Sequence, residues 1–588
     1  MTLEDHASAD LTFARFAARL AELEATSSRT SLQRILSETF TQAVPKEIGQ
    51  LVYLLQGRVA PVFAPIEFGM ADRTVMQSIA GAFDVPREEV QALYRECGDL
   101  GDVAGALAGR RPGEQSHDQS ISAVFAELRA IADATGSGAV ERKIGTLRDL
   151  LRRLDPLAAR YAVRIVLGRL RLGVGDPTII QALAAARGGN KQTAAILEQA
   201  YNRTSDLGLV ARTFWDGGVE TVEKLPVMVG NPLRPELAER LPSPDAVIDK
   251  LGTVDAQYKY DGIRVQIHKQ GDEITLFSRR LEDMTAMFPE ICQGARVQVH
   301  AQSIILDAEA VGYNPLSEEF LPFQETTRRR RKYGIEEMAA ELPLNAFVFD
   351  ILYKDGQSVL DRPLHERLRI LADSVAGGGS LVVSESWIIS DAGTLTSLLQ
   401  EAIDKGLEGL VVKRHDGPYE AGARNFNWVK LKRQAAGALR DTIDCVILGY
   451  FAGRGKRAGF GVGALLVGVY DEPRDTFVTV SRIGTGLSDE GWREAFRRME
   501  GLRLDHRPAR VDSLIEPSVW VEPRIVVEIL ADEITRSPTH TAGRRDGEPG
   551  YALRFPRLVG FRGTDKRPED ATTVQELREM YRQQSRVP

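Results

Sequence analysis

The residues best suited to chemistry lie in the stretch VDAQYKYDGIRVQIH at 254–268. Val254, Ala256, Tyr258 and Tyr260 alternate with Asp255, Gln257 and Lys259; beyond Asp261-Gly262, Ile263, Val265 and Ile267 alternate with Arg264, Gln266 and His268. Period-two patterning interrupted by Asp-Gly predicts two half-buried strands joined by a turn. In a two-residue hairpin loop Tyr260 pairs with Ile263, and Lys259 lies beside Arg264 on one polar face with Gln257 beside Gln266. Like charges directly opposite one another destabilise a sheet, so the pair points to a bound anion. A lysine in that field has a depressed pKa and presents the free amine that a lysine nucleophile requires. The alternative is an ordinary exposed hairpin with a solvated lysine, because K-x-D-G has only three fixed letters.

Further strand-like runs at 273–278, 303–311, 345–353, 409–413 and 428–432 sort chemical groups by side-chain alternation. In IILDAEAV, Asp307 and Glu309 project together. In FVFDILY, Phe347, Phe349, Ile351 and Tyr353 share a face. In WVKLK, Trp428, Lys430 and Lys432 point one way while Val429 and Leu431 point the other. Between these strands lies TRRRRKYG, with Arg328 to Arg331 and Lys332 in one run, read either as a solvated loop or as a contact to a polyanion.

Ahead of this region, residues 11–201 read as helical, with Phe13, Phe16, Ala17, Leu20 and Leu23, then Leu32, Ile35, Leu36 and Phe40, at helical spacing. Arg58 follows Gly57 in LLQGRVAP, and Arg164, Arg169 and Arg171 stand among Gly168, Gly173 and Gly175. Basic groups among glycines suit close approach to a phosphate backbone, and equally suit a basic surface near a helix end. The proline-rich segment from Pro226 marks a crossing between domains, with the boundary near residue 220. After about Ala435, TIDCVILGYFAG, GALLVGVYD and TFVTVSRIG predict a small barrel, for which an oligonucleotide-binding fold is the natural candidate. Val574 to Arg586 reads as a polar closing helix or tail.

Composition sets limits on function. With 588 residues the chain holds roughly three to four domains. The 43% hydrophobic and 27% charged fractions are those of a soluble globular protein. No apolar run approaches the roughly 18 residues of a membrane span, and the start MTLEDHASAD is no signal peptide, so the expected location is the cytoplasm. Three scattered cysteines argue against a disulfide framework and a structural zinc site. The net charge of -7 argues weakly against a polyanion partner, but the clustering of basic residues matters more.

KYDGIR at 259–264, SRR at 278–280, LDAEAV at 306–311, FVFDILY at 347–353, EGLVVK at 408–413 and WVKLK at 428–432, with RFPR at 554–557 and DK at 565–566, follow the order of the covalent nucleotidyltransferase motifs. Within that superfamily the chain resembles the ATP-dependent DNA ligases of the archaeal and bacterial single-chain type. LLQGRVAP, RIVLGRLRLGVG and YNRTSDLG resemble that family's DNA-binding domain. Two departures stand out: Gln257 replaces the usual Glu two residues before the nucleophile, and Arg280 replaces the Asn usual after Ser-Arg. An amide still accepts a hydrogen bond from a base amino group.

The resemblance implies a multi-domain α+β chain: an all-helical DNA-binding domain over 1–220, a mixed α/β adenylation domain over 221–434, and an OB-fold domain with a C-terminal tail over 435–588. It implies a monomer that seals nicked double-stranded DNA with ATP and Mg²⁺, or Mn²⁺ in its place, in replication, recombination or repair. No sliding-clamp peptide is identifiable. By motif position Lys259 is the nucleophile. Gln257, Arg264, Arg279, Glu309, Phe349, Arg424, Lys430 and Lys432 bind the nucleotide, Phe349 by stacking on adenine. Glu309 and Glu408 handle the metal, and Asp307 has either a related or a structural part. Arg562 and Lys566 reach the pyrophosphate when the barrel domain closes, and Arg58, Arg164, Arg169 and Arg171 contact DNA. Lys430, Lys432 and Arg264 are expected to lower the Lys259 pKa. An RNA ligase, an mRNA capping enzyme and a non-enzymatic DNA-binding scaffold are the competing readings.

Overall fold

The computed structural model describes residues 11–111, 119–241, 243–314, 319–320, 326, 329, 334–405, 407–432, 442–452, 461–545, 548–563 and 565–584. They form two compact units, one of Met1–Tyr201 with Asp206–Leu225 and one of Asn202–Ser205 with Pro226–Pro588. No helix among the described residues is long and apolar enough to cross a membrane.

The first unit contains twelve helices among its described residues, from Phe13–Glu24 to Leu207–Glu223. Its periodic positions are its core: Phe13, Phe16, Ala17, Leu20 and Leu23 are all buried. Ser28, Asp99 and Asp155 cap three of these helices by accepting from backbone N–H groups, as short oxygen-bearing side chains do at N-termini. The helices Pro45–Leu55 and Pro156–Val166 end alike, on Gly57 and Gly168 with φ of 68° and 63°, and the next N–H, from Arg58 or Arg169, turns back onto the helix.

The arginines near these ends part company. Arg58 is exposed; Arg169 pairs with Asp72 at 3.0 Å and Arg171, itself partly buried, with Asp99 at 3.2 Å. Arg164 cannot meet DNA: it is 2% exposed and holds Glu24 at 2.8 Å, Asp99 at 3.1 Å and Asp102 at 3.3 Å. A guanidinium with three carboxylates at a helix crossing is an internal cross-link, and its alternation with apolar residues reflects that burial.

Among its described residues the second unit is built on three larger sheets and one two-stranded sheet. Its strands, in chain order, are β1 (Leu237–Arg240), β2 (Val254–Lys259), β3 (Ile263–Gln270), β4 (Glu273–Ser278), β5 (Ser303–Asn314), β6 (Glu319–Phe320), β7 (Leu344–Lys354), β8 (Gln357–Ser358), β9 (Leu381–Val383), β10 (Ser386–Ile389), β11 (Gly409–Arg414) and β12 (Arg424–Lys432). They continue as β13 (Ile443–Phe451), β14 (Ala464–Asp471), β15 (Thr476–Ile483), β16 (Arg503–Leu504), β17 (Val511–Asp512), β18 (Val519–Val521), β19 (Val526–Leu530), β20 (Glu533–Ser537), β21 (Gly550–Arg554) and β22 (Arg557–Phe561). One sheet has the order β1-β12-β11-β2-β10. A second has β4-β3-β5-β7-β8 with β6 and β9 on its flanks. An eight-stranded sheet runs β16-β18-β13-β14-β15-β17 with β19 and β22 attached.

β2 and β3 are therefore not a hairpin. β2 pairs with β10 and β11, β3 with β4 and β5, and Asp261-Gly262 carries the chain from one sheet to the next. The reason is a close approach: a Cβ on Gly262 would strike the Ala310 carbonyl and come within 2.8 Å of Val311. The bare backbone packs against β5, so Lys259 ends one sheet as Arg264 begins the other.

The aromatic face expected of β7 is also broken. The β5–β7 register shifts twice, so that Phe349 and Leu352 lie outside the pairing. Two bulges turn Ile351 into the same core as Val348, while Phe349, Leu352 and Tyr353 pack in another. In the arginine run, Arg329 is 2% exposed and binds Glu290 at 2.9 Å, so it is a core residue; Arg328, Arg330, Arg331 and Lys332 lie outside the described residues.

Gly262→Ala is expected to lower stability by about 1–3 kcal/mol in denaturant unfolding, through the clash with β5. An unchanged midpoint would show that the crossing tolerates a side chain.

Candidate active site

A cavity of about 280 Å³ opens where β2, β11 and β12 of one sheet meet β3, β5 and β7 of the other and the β13 strand of the eight-stranded sheet. The apolar side of β2, Val254, Ala256 and Tyr258, is core; its polar side, Gln257 and Lys259, faces the cavity. Polar alternation here marks an internal cleft, since Gln257 is only 1% exposed.

Lys259 is paired across the ladder with Gly409, and the Glu408 N–H donates to the Lys259 carbonyl at 3.3 Å. That register places the Glu408 carboxylate in direct contact with the Lys259 amine, with Lys432 at 3.4 Å on the same oxygen. Gly409 allows it: its φ of 138° and the Leu431 carbonyl leave no room for a side chain. Burial pushes the Lys259 amine towards neutrality, but Glu408, Glu309 and Asp261 outweigh it and raise the pKa above the ordinary lysine value. The expected depression is thus reversed, because carboxylates lie closer to the amine than cations do. Burial would likewise raise Glu408, yet Lys259 and Lys432 hold it well below the usual carboxylate range. Burial lifts Glu309 to about 7 against the pull of Lys259 and Arg264, and burial followed by Glu408 raises Asp261.

Behind the cavity stands a charged platform. Arg264 binds both oxygens of Asp307, at 3.0 and 2.6 Å, and Tyr419 donates to the same carboxylate at 2.9 Å, so Asp307 orients an arginine. Phe349 lines the cavity with its ring 5.4 Å from the Arg264 guanidinium and 4.7 Å from the Lys413 amine. The bulged Phe349 carbonyl accepts from Lys413 at 3.0 Å and from the Gln257 amide at 3.4 Å. Only the NH₂ end of an amide can face a carbonyl, so Gln257 turns its oxygen elsewhere, and that buried oxygen has no hydrogen-bond partner among the described residues. Under Phe349, Asp350 is fully buried against Arg367 at 2.9 Å.

The opposite end is cationic and already neutralised. Glu576, on the helix Val574–Gln584, binds Arg424 at 2.6 Å and Lys430 at 2.5 Å. Asp570 stands 3.8 Å from Arg279, and Asp444 binds Arg562 at 2.7 Å and also contacts Lys566. The closing segment read as a polar closing helix or tail is a helix, and it supplies the site with a buried carboxylate. The sequence reading missed Glu576, Asp570, Asp444, Lys413 and Asp350. Glu576 carried a signal only as the fourth residue of T-x-x-E, a capping box, and it does serve as one: the Thr573 N–H donates to it at 3.0 Å.

Among the described residues no three His, Cys, Asp or Glu side chains converge as a protein-built metal cage. Sparse carboxylates in a cavity that also holds several cations suit an ion that takes most of its ligands from water and phosphate.

A strand-end amine held among carboxylates, with paired cations across a cleft between sheets, is the architecture of an enzyme that transfers phosphate-bearing groups. Known proteins narrow that class. Residues 12–184 match the DNA ligase N terminus model, 235–432 the ATP dependent DNA ligase domain and 458–566 the ATP dependent DNA ligase C terminal region. The chain is 46% identical over 574 residues to a probable DNA ligase of Dictyoglomus turgidum, covering 98% of each chain. It is 40% identical over 597 residues to DNA ligase 2 of Thermofilum pendens, covering 99% of each. The chain belongs to the ATP-dependent DNA ligase family.

Asp350→Ala leaves the Arg367 charge buried and unpaired beneath Phe349. It is expected to cost about 3–5 kcal/mol in unfolding free energy; a loss below about 1 kcal/mol would show that the platform does not depend on the pair.

Proposed function

We propose that the chain joins adjacent 5′-phosphate and 3′-hydroxyl ends at nicks in duplex DNA, using ATP through an AMP carried on Lys259. The observation that carries this reading is the Lys259 amine in the cavity, fixed by its register with Gly409 and sharing that cavity with the Arg279, Arg424 and Lys430 cations. In the first step the deprotonated amine forms a bond to the α-phosphorus, the bond from that phosphorus to the bridging oxygen breaks, and pyrophosphate leaves with that oxygen. The amine nitrogen sheds a proton and becomes a phosphoramidate. In the second step a 5′-phosphate oxygen at the nick takes the AMP from nitrogen and the lysine recovers its proton. In the third, the 3′-hydroxyl attacks the 5′-phosphate, loses its proton, and AMP departs. Each displacement depends on in-line placement and on neutralising phosphate charge.

Specific residues fit specific parts. The partnerless Gln257 oxygen suits the exocyclic amine of adenine, and Phe349 offers an aromatic edge or face to the base. Arg279, Arg424 and Lys430 suit the phosphates once Glu576 and Asp570 yield to them, and Arg264 and Lys432 frame the amine. Glu309 and Glu408 are the oxygen donors that would hold Mg²⁺, or Mn²⁺ in its place; the raised Glu309 carboxyl marks a spot where added positive charge is favourable. When bound, the ion supplies neutralisation of the phosphate oxygens.

In this reading the helical unit is a DNA-binding domain, with Arg58, Arg169 and Arg171 at its glycine turns as phosphate contacts, and the eight-stranded sheet is an OB fold. The protein acts as a cytoplasmic monomer in replication, recombination or repair. Family membership favours DNA over the RNA-joining and capping alternatives, and assays on nicked DNA and nicked RNA duplexes separate them.

Incubation with labelled ATP and Mg²⁺ is expected to place acid-labile AMP on the wild-type chain and none on Lys259→Ala, which also loses nick sealing; a labelled Lys259→Ala would refute the assignment. A raised amine pKa means that the attacking form grows as pH rises. Single-turnover AMP transfer is therefore expected to climb by up to about tenfold per unit from about pH 6 to about pH 8. A flat profile over that range would contradict a protonated resting lysine.

A further inference from the structure

Asp444 has no part in the reactions just described, yet it lines the same cavity as Lys259. We infer that Asp444 is a positioning residue for pyrophosphate departure: its carboxylate holds Arg562 and Lys566 together as one anchor on the barrel side of the cavity. The inference rests on the proposed function.

The carboxylate divides its oxygens. Oδ1 accepts from the Arg562 Nε at 2.7 Å, and Oδ2 takes the Lys566 amine. A second acid, Glu528, holds Arg562 at 3.2 Å but not Lys566, and accepts from the Thr442 hydroxyl at 2.6 Å. Asp444 itself is fixed, since its N–H donates to the Thr572 hydroxyl at 3.1 Å and its carbonyl accepts from the Thr572 N–H at 2.9 Å. It is 8% exposed, so little water competes for it.

Two cations four residues apart repel and would splay without a shared counter-ion. One carboxylate gripping both sets their spacing and leaves the trio with a net charge of about +1. Such a group attracts a departing polyanion without binding it so tightly that release fails. Burial presses the Lys566 amine towards neutrality and Asp444 opposes it, so loss of the carboxylate would also weaken the lysine's charge. Pyrophosphate leaves only in the first step, so only that step and its reversal should feel the change.

The test uses the full chain carrying Asp444→Asn. Single-turnover AMP transfer from ATP is compared with ATP-independent sealing of a nicked duplex that already bears 5′-AMP. We expect AMP transfer to fall about tenfold and the pyrophosphate concentration that half-discharges the enzyme-bound AMP to rise severalfold, with sealing of the pre-adenylated nick within about twofold of wild type. Glu528→Gln should lose less, as it touches one cation only. If Asp444→Asn does not fold, Asp444→Glu is read the same way, its charge being displaced by one methylene. Equal losses in both reactions, or unaltered AMP transfer, would overturn the inference. A wild-type chain that takes up no AMP would instead defeat the proposed function.

Discussion

The contact between Lys259 and Glu408 governs how the rest of the site is read. It follows from backbone register: Gly409 opposite Lys259 puts the preceding carboxylate against the amine, and only a glycine fits beside the Leu431 carbonyl. A buried amine without a counter-ion would shed its proton and a buried carboxylate would take one up. Together they hold each other charged, so the nucleophile candidate rests in its inactive form. Whatever draws Glu408 away also frees the amine.

The same logic extends through the cavity. Arg424 and Lys430 are held by Glu576, Arg279 stands near Asp570, and Arg562 and Lys566 share Asp444. Pairing keeps a dense set of cations tolerable in a partly desolvated cleft. On the proposed function, a triphosphate would enter by exchange, replacing protein carboxylates with its own oxygens. A chain of net charge -7 can therefore present a phosphate site without a basic exterior.

Much of this was legible in the sequence. Strand alternation correctly sent Val429 and Leu431 to the core and Lys430 and Lys432 to the cavity, because β12 runs without a bulge through that stretch. Helical spacing located the core of the first unit. Reading failed where tertiary contacts overrule local pattern. Asp-Gly signals a hairpin, but Gly262 serves a crossing packed against β5. Two bulges shift the phase of β7, so Phe349 and Ile351 part. Arg164 looked like a surface contact because its three carboxylates come from distant helices. Glu576 was missed: its local signal is that of a helix cap, which it is, and its second role depends on a strand roughly 150 residues earlier that no local pattern encodes.

The direct measurement is the titration of the Lys259 amine by isotope-edited NMR in the nucleotide-free chain and in Glu408→Gln. The account predicts a pKa above the ordinary lysine value in the wild type, falling by at least about one unit when the carboxylate is removed. A wild-type amine that titrates below the ordinary value, and does not respond to Glu408→Gln, would contradict it.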